Sequence, residues 1–413
     1  MTKLPQGWEW KSLGEIFNIE RGGSPRPIKK FLTDKEDGIN WIKIGDIKNQ
    51  KYLYKTEEKI IQEGLKKSKL VIEGDLLVSN SMSFGKPVIV KLQKGAIHDG
   101  WLLLKEKINL NKEYFYYLFS SNFMYSFLSY QASGSTVKNL NIDKLKQIEI
   151  PLPPLKEQER IVGILDESFA KIDESIKILE QDLLNLDELM QSALQKAFNP
   201  LKDNAKENYK LPQGWEWKSL GEISNLIQNG FAASKNNEIP SGYVHLRTHN
   251  ISTDGNLNFD TLIKIKREFI KEKQSFIEKN DILFNNTNST ELVGKTALVT
   301  QNYNYAFSNH LTKIKLKNQY NSKLVVFYFV LLLKNKYFEK ICHQWIGQSG
   351  INIDKLKKIQ IPLPPLKEQE QITSHLDELS SHVKNLKQNY QAQIKDLQEL
   401  KKSLLDKAFK GNL

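Results

Sequence analysis

Two stretches of this chain are written twice. Residues 3–16 read KLPQGWEWKSLGEI, and the same fourteen letters return at residues 210–223. A second pair, NIDKLKQIEIPLPPLKEQE at 141–159 and NIDKLKKIQIPLPPLKEQE at 352–370, agrees at seventeen of nineteen positions. Ala197-Phe198 and Ala408-Phe409 hold the register to the end. Solenoid repeats run about 20–50 residues. Offsets of 207 and 211 in a chain of 413 residues instead describe one module of slightly more than 200 residues, duplicated. Between the anchors the copies share only weak echoes: 38–47 against 242–251, and Gly85-Lys86 against Gly294-Lys295. A constant frame around a diverged insert implies that the frame keeps one shape while each insert recognises something different.

Each copy divides into two parts. The first, at 4–150 and 211–361, is a mixed α/β module large enough to bury its own core. Strands are expected at 41–44, 75–78, 87–90, 243–246 and 297–299, bounded by turn formers such as Gly45-Asp46, Glu73-Gly74 and Asp254-Gly255. Amphipathic helices are expected at 112–131 and 322–345. The second part is a long helix. Pro153-Pro154 suits a helix start, where the missing N–H is not needed. Apolar residues then recur at alternating steps of three and four: Val162, Leu165, Phe169, Ile172, Ile176, Leu179, Leu183, Leu186, Met190, Ala193 and Ala197. Asn199-Pro200 is the expected stop. The second copy offers Ile372, Leu376, Leu379, Val383, Leu386, Tyr390, Ile394, Leu397, Leu400 and Leu404, with Gly411 as its stop. This is a heptad seam, and each helix needs a partner to cover it. The simplest partner is the other helix. An antiparallel pair predicts a rod with one module at each end, a pseudo-two-fold duplication, and chain termini that nearly meet.

Four segments follow: 1–150, the first recognition module; 151–199, a central helix; 200–361, a linker and the second module; 362–413, a C-terminal helix. The single cysteine, Cys342, excludes an intrachain disulfide and a thiolate metal cluster. It is expected to pack in a core. The longest apolar run, 324–333, is about half a membrane span, and the first ten residues lack a signal-peptide pattern. Enzyme motifs are also missing. Gly294-Lys295-Thr296 resembles the end of a phosphate loop, but the required earlier glycine is Ser289. No GxGxxG follows a strand. His245 and His249 stand four apart on a strand and loop with no third ligand, so a polar or DNA-facing role is favoured over a metal.

The net charge is +12, but it is unevenly placed. Residues 154–199 carry net −5 and residues 365–413 net +1, which leaves +16 on the remainder. Basic modules with Asn-, Ser- and Thr-rich loops suit double-stranded DNA: cations engage phosphates while amides, hydroxyls and arginines read base edges. Two such loops occupy matching places, each between an Asp-initiated strand and the Gly-Lys pair. They supply Ser79, Asn80, Ser81 and Ser83 in one copy and Asn285, Asn286, Thr287 and Asn288 in the other. The further candidates for DNA contact are Arg21, Lys43, Lys86 and His98, with Arg247, Thr248, His249, Lys295 and His310 in the second copy.

The LPQGWEWKSLGEI openings, the IPLPPLKEQE junctions and the two long helices together resemble the specificity subunits of Type I restriction–modification enzymes, over essentially the full chain. The resemblance implies two target-recognition domains, each binding half of a bipartite DNA sequence, with the helices as a ruler between the half-sites. It implies a non-catalytic chain with no cofactor of its own, while the lone cysteine suits a cytoplasmic location. Methyltransferase subunits, two by the duplication, would carry S-adenosylmethionine, and restriction subunits would carry ATP and magnesium. A free-standing DNA-binding protein, and a coiled-coil adaptor for protein or RNA, are the alternatives.

Overall fold

The computed structural model describes residues 4–47, 50–80, 85–131, 141–198, 211–270 and 276–413. They form two compact units: Met1–Glu180 with Gln391–Leu413, and Gln181–Tyr390. Each unit contains one α/β module and part of both long helices.

The repeated segments of each copy fold against each other. Strand Glu9–Ser12 pairs antiparallel with Glu149–Leu152, Glu9 opposite Leu152. Strand Glu216–Ser219 pairs likewise with Gln360–Leu363, Glu216 opposite Leu363. Each opening strand runs into a one-turn helix closed by a reciprocal cap. Ser12 Oγ accepts from Glu15 N–H at 3.3 Å, and Glu15 Oε2 accepts from Ser12 N–H at 2.7 Å. Ser219 and Glu222 repeat the arrangement at 3.3 and 2.7 Å. These bonds hold both glutamates below the usual carboxylate range. The junction glutamine is the second shared device. Gln158 is 2% exposed; its Oε1 accepts from Asn111 N–H at 2.9 Å and its Nε2 donates to Pro153 O at 2.9 Å. Gln369 does the same with Asn321 N–H at 3.1 Å and Pro364 O at 2.9 Å. Asn111 and Asn321 are themselves the N-caps of helices Lys112–Ser120 and Ser322–Lys334. One buried amide therefore ties each long helix to its module.

In the first module one five-stranded sheet has the order Phe17–Arg21, Trp101–Glu106, Leu76–Ser79, Pro87–Val90, Tyr52–Leu53. A second has the order Leu32–Thr33, Glu58–Ile60, Ile39–Ile42, Lys94–Ile97, Lys69–Ile72. The central strands are buried on both faces, which is why they read as unbroken apolar runs rather than alternating ones. Leu76, Val78, Leu102 and Leu104 pack on the helical side with Phe115 and Leu118. Leu77, Trp101 and Leu103 pack on the other side with Ile42, Val71 and Ile97. The second module repeats this with Ile282, Phe284 and Ile314 on one side, and Leu246, Leu283 and Phe307 on the other.

The long helices run Leu155–Phe198 and Leu366–Ala408. They are antiparallel within each unit. In the first, Lys401 Nζ reaches Asp173 at 2.6 Å and lies 4.7 Å above the Phe169 ring, while Arg160 donates to Leu413 O at 2.9 Å. In the second, Lys387 Nζ reaches Asp187 at 2.7 Å. Seam residues Leu165, Ile172, Leu186, Leu376 and Val383 are buried, and Phe169, Ile176, Leu179, Leu183, Tyr390, Ile394 and Leu397 are half-buried. Leu386 departs from the expected seam: it is 40% exposed, and its neighbour Lys387 makes the cross-helix contact instead. Leu400 is exposed as well. Two helices cover a narrower stripe than the heptads offer. Segments near the two ends of the chain meet within the first unit: a Cβ on Gly411 would lie 2.3 Å from Pro5 Cγ, and Phe409 is buried in the first core with its ring 5.3 Å from that of Tyr114.

Two expected helices are shorter than the pattern suggests. The stretch 112–131 breaks at Ser121 into Lys112–Ser120 and Asn122–Gln131. The stretch 322–345 ends at Ile341 after a left-handed Lys336 (φ 56°), and His343–Trp345 is a strand. Cys342 is half-buried, its thiol donating to Glu339 O at 3.3 Å. Asn199, Pro200 and the linker to residue 210 lie outside the described residues.

Candidate nucleic-acid interface

The diverged inserts share a backbone scheme that their side chains conceal. In the first module strands Ile39–Ile42 and Lys94–Ile97 run parallel, and His98 N–H donates to Ile42 O at 3.1 Å. In the second, Glu238–Leu246 and Ala306–Phe307 run parallel, and Ser308 N–H donates to Leu246 O at 2.9 Å. Gly22 N–H bonds Trp101 O, as Gly230 N–H bonds Leu311 O. Asn80 N–H bonds Gly100 O, as Asn286 N–H bonds His310 O. Gly85 N–H bonds Ser79 O, as Gly294 N–H bonds Asn285 O. Gly22 and Gly230 are required by contact: a Cβ would stand 2.2 Å from His98 O in one and 2.0 Å from Phe307 O in the other. The two weak echoes of the sequence, 38–47 with 242–251 and Gly85-Lys86 with Gly294-Lys295, are therefore equivalent positions of one scaffold.

This scaffold gathers Arg21, Lys43, Asn80 and His98 around the ends of one parallel pair. Arg21 is exposed, its Nε donating to Asp99 O at 2.9 Å. Lys43 pairs with Glu58 at 3.2 Å and Glu57 at 3.8 Å. His98 Nδ1 accepts from Gly100 N–H at 3.0 Å and stands 2.9 Å from Asp99 Oδ1. Burial lowers its pKa; Asp99 opposes the shift, while Arg26, Arg21 and Lys43 reinforce it. Ser79 is buried, its Oγ accepting from Lys86 N–H at 2.9 Å, and Lys86 is exposed. Asn80 is fully buried, with neither amide atom hydrogen-bonded. Ser81 and Ser83 lie outside the described residues. Arg26, with a side chain 79% exposed and 4.0 Å from Asp99, joins this group and was missed in the sequence. Its only signal was the basic, proline-flanked run that begins at Arg21.

The second site is differently furnished. Arg247 donates to Glu238 at 3.0 Å and to Ala233 O at 3.4 Å. His245 is buried, 3.1 Å from Phe231 O, and His249 lies 3.2 Å from Thr261 O. Each histidine is thus committed to a separate carbonyl, and no group of three metal-binding side chains occurs among the described residues. Asn286 is buried and donates to Asn229, Asn309 O and Thr312. Asn285 is buried too, placed to bond Thr287 O, His310 O and Asn288. These two asparagines build the loop and do not face outward from it. Thr287, Asn288, Thr248 and His310 are half-buried around them. Lys295 is buried, donating to Thr248 O at 2.8 Å and Ile251 O at 2.7 Å. Its ammonium is held by two carbonyls of the scaffold.

Comparison with known proteins agrees with this architecture. The family described as "Type I restriction modification DNA specificity domain" matches residues 5–183 and again 212–396. The chain belongs to this family; it is a specificity subunit rather than a catalytic chain. Among relatives, the StySPI specificity subunit of Salmonella potsdam is 24% identical over all of this chain and 90% of that subunit. The MjaIX specificity subunit of Methanocaldococcus jannaschii is 25% identical over all of this chain and 94% of that subunit. The fold is shared with a solved structure described under complex assembly and conformational transition of the type I R-M system, at 22% identity and TM-score 0.79 over both full chains. It is shared also with the HsdS subunit of Thermoanaerobacter tengcongensis, at 22% identity and TM-score 0.60, covering 100% of this chain and 99% of that one.

Proposed function

We propose that this chain recognises a bipartite DNA target, one half-site per module, and directs methyltransferase and restriction subunits to it. The observation that carries the reading is the twice-built scaffold. The same backbone bonds, from Gly22 and Asn80 in one copy and Gly230 and Asn286 in the other, present different side chains. A duplicated reader with two specificities requires that combination. The +16 outside the two helix segments favours a phosphate partner.

The helices set the distance between half-sites. They also offer apolar side chains that the pair leaves open: Ile178, Leu184 and Leu189 are exposed on the first helix. Such a stripe suits protein contacts, and we assign it to two methyltransferase subunits, one per repeat. S-adenosylmethionine belongs to those subunits, ATP and magnesium to the restriction subunits, and the assembly to the cytoplasm. No helix among the described residues is long and apolar enough to cross a membrane.

Co-expression with the cognate methyltransferase, followed by genome-wide mapping of N6-methyladenine, tests the proposal. One motif of two half-sites with a fixed gap is expected. A continuous motif, or none, overturns it. Exchanging residues 17–140 for another family member's insert is expected to change one half-site and leave the other intact.

A further inference from the structure

Strands His343–Trp345 and Gln348–Gly350 form a hairpin in the second module, with Trp345 opposite Gln348 across a turn of Ile346 and Gly347 (φ +84°). Its inner strand continues onto the polar loop, Gly350 opposite Thr287 and Ser349 opposite Asn288. Thr290 and Ser349 share a hydroxyl hydrogen bond of 2.8 Å. The hairpin is thus built into the candidate interface. Its tip is apolar: Ile346 is 106% exposed and Trp345 53%. The indole is held in place, its ring 4.9 Å from that of His343 and its edge over Gly350, where a Cβ would come within 2.8 Å. Isoleucine is poor turn chemistry, since glycine, asparagine and aspartate stabilise tight turns. Turn stability therefore does not account for Ile346.

A narrow ribbon, a packed aromatic base and a protruding aliphatic tip match one feature of duplex DNA. The major groove admits a two-stranded ribbon, and the one apolar group on its floor is the thymine C5 methyl. We propose that the hairpin enters the major groove at the second half-site and that Ile346, supported by Trp345, packs against a thymine methyl there. This rests on the DNA-reading function proposed above. The corresponding stretch of the first repeat, ASGSTVKNL between Gln131 and Asn141, contains no aromatic residue. The proposal concerns the second half-site alone, and the first serves as an internal control.

The test uses the purified complex with its methyltransferase and a duplex carrying the mapped motif. Each thymine of the second half-site is replaced in turn by deoxyuridine, which lacks the methyl, or by photoreactive 5-iododeoxyuridine. One deoxyuridine position should weaken binding about fourfold, the worth of one buried methyl-sized group. That sensitivity should vanish in Ile346→Ser, and iodouracil at the same position should crosslink to 343–350. Replacements in the first half-site should have equal effects in both proteins. The inference is overturned if no deoxyuridine position distinguishes Ile346→Ser from wild type, or if crosslinks fall elsewhere. It is overturned too if Ile346→Ser loses the methyltransferase subunit, which would make the tip a protein contact. If no bipartite motif is methylated at all, the DNA-reading function itself fails, which is a different result.

Discussion

His245 shows how a single side chain is fixed by its surroundings. It is 1% exposed, and one ring nitrogen faces Phe231 O at 3.1 Å. Burial, reinforced by Arg247 and opposed by the hydrogen bond and Glu238, brings its pKa down to about 4. The folded state therefore binds fewer protons than the unfolded one between that value and about 6.5. The stabilisation is complete above the unfolded pKa and is lost as pH falls toward 4, by up to about 3 kcal/mol. Denaturant titrations of the second module between pH 7 and 4 should show this slope, and His245→Gln should flatten it. An unchanged slope in the variant counts against the buried neutral ring. The residue scale is also where sequence reading reached least far. Lys86 and Lys295 follow matching glycines, yet Lys86 is exposed and Lys295 is buried against two carbonyls. The difference depends on a turn more than forty residues away in the chain, and local sequence carries no trace of it.

Elements were more legible because their causes are local. The proline pair Pro153-Pro154 and the three-four apolar rhythm located the long helices, and they end at Phe198 and Ala408 as their stop signals indicate. The strand cores at Leu76–Ser79 and Pro87–Val90 were readable as apolar runs. The hairpin at 343–350 was not, because an apolar helix runs into it without a proline or glycine to mark the change. The near-identity of the anchors has a concrete explanation in Gln158 and Gln369, each bonding a helix cap and a proline carbonyl. Gln158→Ala should cost about 2 kcal/mol, because it leaves a buried carbonyl and a part-buried N–H unpaired. Thermal or denaturant unfolding of the first module would measure this. A loss below about 0.5 kcal/mol would mean that the glutamine is not the tie.

At the scale of the molecule, the compact units divide both long helices, at Glu180/Gln181 and Tyr390/Gln391. If the helices set the half-site separation, four residues inserted after Leu183 should lengthen the methylated gap or abolish methylation. Mapping would read the result, and an unchanged gap would remove the ruler role. The first unit also depends on the far end of the chain, since Leu405, Ala408 and Phe409 lie in its core. Deleting residues 404–413 should leave the first module sensitive to protease while the second stays resistant, with limited proteolysis as the measurement.

That same meeting of Pro5 with Gly411 has a consequence for biogenesis. The module that leaves the ribosome first is the last to be completed. At about 5–20 residues per second, roughly 15–50 s separate its synthesis from the arrival of Phe409. A nascent chain cut short anywhere in that interval keeps an open first core. Such a fragment leaves Tyr114 without the Phe409 ring against it, so the first core closes only once residues 405–409 have been made.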